Sequence, residues 1–67
     1  MMSDPRQTAR NLLRRNSVTL ELLWLRYWAE GGDATAFEFD AYLHEALNPP
    51  AHELRIIEWA MEEIGDH

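Results

Sequence analysis

The stretch from Val18 to Ala29, VTLELLWLRYWA, holds nine apolar residues in twelve, two of them tryptophans. Wound as a helix, it has one narrow polar stripe, Thr19, Arg26 and Glu30, and is apolar almost everywhere else. Only Glu21 interrupts the apolar surface, and a first-turn position suits its charge against the helix dipole. A helix apolar nearly all round has to be wrapped by other helices or shared with a second molecule. That requirement sets the expected fold.

The chain has 67 residues and no cysteine. A chain this short buries only about 60% of the surface it exposes when unfolded, so stability is marginal without extra help. Disulfides and thiolate–zinc sites are excluded, which leaves efficient helix packing or self-association. The apolar stretch is shorter than a membrane span and carries Glu21 and Arg26. The start, MMSDPRQTAR, lacks an apolar signal-peptide core. A cytoplasmic protein without membrane contact is expected.

Charge is unevenly distributed. Residues 1–17 carry Arg6, Arg10, Arg14 and Arg15 against Asp4 alone, whereas residues 18–67 carry Arg26 and Arg55 against eleven acids, and there is no lysine. An acidic body of this kind disfavours general nucleic-acid binding and favours a basic protein partner or plain solubility.

Punctuation along the chain predicts four helices over about 5–15, 18–30, 36–47 and 50–64, an all-α bundle of three core helices with a fourth at its N-terminal side. Asp4-Pro5 reads as N-cap and first helical residue. The Arg-rich segment 1–16 either docks on the acidic body or is loosely attached. Ser17 is the expected N-cap of the second helix, and Gly31-Gly32 its stop. Thr35 and Glu38 have capping-box spacing. In the third helix Ala36, Phe39, Tyr42, Leu43, Ala46 and Leu47 share one face, with Phe37 on the polar side near Asp40 and His44. Asn48-Pro49-Pro50 separates the last two helices, Asn48 serving as cap. In the fourth, Leu54, Ile57, Ala60, Met61 and Ile64 form the core stripe, and Gly65 ends it. Glu53, Arg55, Glu58, Glu62 and Glu63 read as solvated, and Trp59 faces away from the core.

No catalytic constellation emerges. Gly31-Gly32 lacks the preceding strand and the GK[ST] of a phosphate loop, and Asp33 would repel phosphate. His44, His52 and His67 have neither HExxH nor Glu-x-x-His spacing, so no metal or cofactor is expected. Read as a helix-turn-helix, the recognition helix would carry Glu38, Asp40 and Glu45 with no arginine or lysine, which repels DNA. The few Ser and Thr residues sit at helix starts, where capping accounts for them. The expectation is therefore no enzyme.

LWLRYWAEGG, then FEFDAYLHEAL, then a proline turn and IIEWAMEEI, resembles a group of short all-helical actinobacterial proteins. These carry LW.RYFALGG-like segments followed by an EAYLHG-like helix and a short C-terminal helix. The resemblance covers about residues 20–64. It implies a helical fold and assigns no activity, cofactor or site.

The expected function is a small non-catalytic interaction or regulatory module with an acidic, aromatic-anchored surface, acting on a basic partner or through homodimerisation. The candidate contacts are Trp59, Phe37, Trp24, Trp28, Glu58 and Glu62. A nucleic-acid role is the alternative. In it, either Arg6, Arg10 and Arg14 touch phosphates from one helix face, or the acidic body imitates DNA in a basic groove.

Overall fold

Local capping chemistry decides where the helices start. The computed structural model describes residues 4–65 as four α-helices, α1 (Pro5–Arg14), α2 (Leu20–Ala29), α3 (Ala36–Leu43) and α4 (Ala51–Gly65), with no strand among those residues. The all-α bundle expected from the sequence is the fold that forms. Asp4 caps α1 by accepting the Arg6 N–H at 2.9 Å, with Pro5 in the first turn. Thr35 and Glu38 form the complete capping box: the threonine hydroxyl accepts the Glu38 N–H at 3.1 Å and the Glu38 carboxylate accepts the Thr35 N–H at 3.0 Å. Thr35→Ala removes half of this arrangement and is expected to cost about 1 kcal/mol, read as a shift of the urea midpoint at unchanged slope.

Helix ends account for most departures from the expected boundaries. α1 closes with Asn16 in the left-handed region at φ 57, the Ser17 N–H reaching back to the Leu12 carbonyl at 3.0 Å. That turn consumes Ser17, so the N-cap of α2 passes to Thr19, whose hydroxyl accepts the Leu22 N–H at 3.2 Å. Val18 is thereby left outside the helix. Gly31, at φ 106, closes α2 in the same way, with the Gly32 N–H bonded to the Tyr27 carbonyl at 3.1 Å.

α3 stops four residues short of Leu47. Glu45 takes the left-handed position at φ 61, and the Ala46 N–H returns to the Ala41 carbonyl at 2.9 Å. The chain must then extend through Asn48 and Pro49, because a residue before proline is driven out of the helical region. Ala46 and Leu47, expected in the core stripe, consequently lie exposed in the turn. Asn48 does not cap α4. Pro50 precedes the first turn, its carbonyl accepting the Glu53 and Leu54 N–H groups at 3.0 Å each. Gly65, expected as the cap, is the last residue of α4.

α1 and α2 each pack against both α3 and α4. Ala9 of α1, Leu23 and Tyr27 of α2, Phe39 and Leu43 of α3, and Ile57, Ala60 and Met61 of α4 meet in one core. The Tyr27 and Phe39 rings lie 4.8 Å apart at 30°. Around this core the Cα radius of gyration is 10.5 Å, as expected for a compact chain of this length, about 11 Å.

Burial decides between the two alternatives for α2 and corrects the expectation for Glu53. α2 is not enclosed on all sides: only Leu23 and Tyr27 are fully buried, while Leu22, Leu25, Trp28 and Ala29 face outward. α3 and α4 cover one side of it, and α1 packs on those two helices. Glu53, expected to be solvated, is 5% exposed. It shares the inward face of α4 with Ile57, Ala60 and Ile64, at spacings of four, seven and eleven residues.

Candidate functional site

Among the described residues one buried polar node joins α2, the α2–α3 turn and α4. Tyr27, on α2, donates its hydroxyl hydrogen to Glu53 Oε1 on α4, and the tyrosine hydroxyl oxygen accepts the Ala34 N–H at 2.8 Å from the α2–α3 turn. Glu53 Oε2 lies 3.3 Å from Nε2 of His52, which is largely exposed. Burial, and then the bond to Glu53, push the Tyr27 hydroxyl well above its ordinary value, so it remains a neutral donor. No buried side-chain polar atom among the described residues lacks a partner. With its hydrogen-bonding capacity engaged internally, the node is a structural clamp.

The surface is less complete than the core. Among the described residues six large apolar side chains remain exposed: Leu22, Leu25, Trp28, Phe37, Leu47 and Trp59. Phe37 is 84% exposed and Trp28 60%. Trp24 differs from these. It is half-buried, and its indole N–H donates to the Ala34 carbonyl at 3.0 Å, so its polar end holds the α2–α3 turn. On α4, Glu62 is exposed and Glu58 half-buried, and Trp59 stands on the outer face. Phe37 projects from α3 on the side away from buried Phe39 and Leu43, along with Asp40 and His44. The last two pair with each other, Nδ1 to Oδ1, at 3.2 Å.

The arginines of α1 are largely engaged by the chain itself. Arg6 makes a two-pronged contact with Asp4, at 2.7 Å from Nη2 and 3.1 Å from Nε. The bond to the Arg6 side chain holds the Asp4 carboxyl below its usual range, and that of Arg6 rises correspondingly. Arg10 reaches α3, where Nη1–H donates to the Leu43 carbonyl and lies 3.1 Å from Glu45 Oε2. Arg14 bonds the Asn11 side chain. Of the three, Arg10 alone tethers α1 to another helix, satisfying a carbonyl that the end of α3 leaves free. Arg10→Ala is expected to lower stability by about 1.5 kcal/mol, and early protection loss at α1 amides in hydrogen exchange would identify the tether as the cause.

The outer face of α4 carries an open groove of about 410 Å³ lined by Ala51, His52, Arg55, Ile56 and Trp59. Its shape does not enclose a small molecule. Among the described residues no three His, Asp or Glu side chains converge as a metal site would require, and His67 lies outside them. No helix among them is long and apolar enough to cross a membrane.

The sequence placed Phe37 and Trp59 off the core correctly, because helical periodicity alone decides that. It left open which side of α2 stays uncovered, the side of Leu22 and Leu25, and it missed the burial of Glu53. The signal for Glu53 was its spacing from Ile57, Ala60 and Ile64, which the charge obscured. Comparison with known proteins adds no relative to this picture: no protein-family model matches the chain, and neither does any curated protein or solved structure.

Proposed function

We propose that this chain is a small non-catalytic interaction module of the cytoplasm that binds a basic protein partner through the outward face of α3. Phe37 supports this reading most directly. A phenylalanine 84% exposed contributes nothing to its own core, and aromatic side chains are favoured anchors at interfaces. Its setting supplies the charge preference. Glu38 and Asp40 lie on α3 with no arginine paired to them among the described residues, whereas Glu45, just beyond its end, is already paired with Arg10. A cationic surface approaching this side is attracted, and an anionic one is turned away.

Site-specific photo-cross-linking tests the reading. With a photoreactive amino acid in place of Phe37, native cells yield a discrete basic protein, and raised salt reduces its recovery. Phe37→Ala weakens binding to that protein at least about tenfold. Equal binding by the parent chain and the Phe37→Ala, Trp59→Ala double variant would eliminate the aromatic anchors. Recovery of acidic proteins alone would eliminate the charge argument.

A further inference from the structure

The geometry points to a second copy of this chain as the occupant of the outer face of α2, packed with the two helices parallel. This goes beyond the partner surface on α3 and uses different residues. Leu22, Leu25 and Ala29 recur at three and then four residues, the a–d–a spacing of a two-helix seam. All three are exposed, Leu22 at 46% and Leu25 at 47%. The opposite face of the helix is already occupied by the core through Leu23 and Tyr27.

Charge selects both occupant and orientation. Glu21 and Arg26 flank the leucines on opposite sides and are five residues apart, the g and e positions of that seam. Both are exposed, and neither takes part in an ion pair among the described residues. When two copies pack parallel about a two-fold axis, each Glu21 meets the Arg26 of its partner, giving two symmetry-related pairs. In an antiparallel packing the two Glu21 share one side and the two Arg26 the other, so like charges face each other. A second copy therefore offers both the apolar stripe and the matching charges. Trp28, on the Glu21 side, covers the edge of the seam. α2 spans ten residues, about 15 Å, so the interface is short and the dimer is weak and concentration-dependent.

Sedimentation equilibrium at physiological ionic strength, from micromolar to millimolar chain, provides the test. The parent chain shifts from monomer to dimer across that range, whereas Leu25→Asp stays monomeric with unchanged helical circular dichroism. Glu21→Arg and Arg26→Glu each weaken dimerisation roughly tenfold, the effect of turning two attractive pairs repulsive, and the double exchange restores it. Orientation is read separately, because the chain has no cysteine of its own. Leu25→Cys forms a disulfide dimer under mild oxidation in the parallel arrangement. A monomer at millimolar concentration, or failure of the double exchange to restore association, overturns the proposal. Cross-linking only between Leu22→Cys and Leu25→Cys chains overturns the parallel arrangement. Phe37→Ala leaves dimerisation intact, so loss of partner binding on α3 and loss of self-association on α2 are scored independently.

Discussion

Tyr27→Phe is expected to lower the free energy of unfolding by about 3 kcal/mol, although it removes a single oxygen and leaves the ring stacked on Phe39. The missing hydroxyl takes two bonds with it. The Ala34 N–H loses its acceptor, and Glu53 Oε1 loses its donor at a position with almost no access to water. A buried carboxylate deprived of one partner incurs a desolvation penalty larger than the net value of the bond it made. For a chain of this length the total stability is on the order of 3–10 kcal/mol. Thermal unfolding should move down by about 15 °C, measured by circular dichroism. Glu53→Gln retains an acceptor for the hydroxyl and costs less. Replacing both partners, as Tyr27→Phe with Glu53→Met, recovers much of the loss, since an apolar pair leaves no orphaned group. If the double variant is as unstable as Tyr27→Phe, the hydroxyl is not what holds the clamp.

The same hydroxyl gives stability an alkaline limit. Its folded value lies above the ordinary one of 10.0, so the folded state resists losing that proton more than the unfolded state does. The stabilisation is fully present below about pH 10 and declines as pH rises beyond it. Urea midpoints should hold steady from neutrality into the mildly alkaline range and then fall. Tyr42, also raised by burial, contributes a part of that fall that survives in Tyr27→Phe.

These outcomes bear on how much of the molecule its sequence discloses. The starts of α1 and α3 were legible because Asp4-Pro5 and the Thr35/Glu38 pair act within three residues. The stripe of α4 was legible because Ile57, Ala60 and Met61 contrast with the charged residues around them. α2 offered no such contrast: leucine and aromatic residues occupy nearly all its positions, so hydrophobicity alone could not choose an inward face. The face is chosen by Tyr27, which can bury its hydroxyl only where Glu53, twenty-six residues away, can accept from it. The early end of α3 was hidden for a related reason. A glutamate has no preference for the left-handed conformation, and Glu45 holds it in a turn that Arg10 steadies from another helix. Off-core Phe37 was readable by periodicity, whereas the outward face of α2 became visible only once its inward face was fixed.

Gly32→Ala is expected to be as damaging as any single methyl group added to this chain, at about 3 kcal/mol or more. A Cβ at Gly32 would lie 2.2 to 2.5 Å from three carbons of the Tyr27 ring. The ring has nowhere to move, since its hydroxyl is held by Ala34 and Glu53 and its face by Phe39. The backbone would have to shift instead, pulling the Ala34 N–H off the tyrosine and opening the clamp. Neighbouring Gly31 provides the control. Nothing lies within 4 Å of a Cβ there, but its φ of +106 is costly for any residue with a side chain. Gly31→Ala should therefore cost about 1–2 kcal/mol through backbone strain. Tyr27→Leu, which removes the ring, should relieve much of the steric cost of Gly32→Ala and none of the cost of Gly31→Ala. A double-mutant cycle on urea stability separates the two effects. Coupling of Tyr27 to Gly32 without coupling to Gly31 is the expected pattern, and equal coupling to both would mean that the turn is limited by its dihedral angles alone.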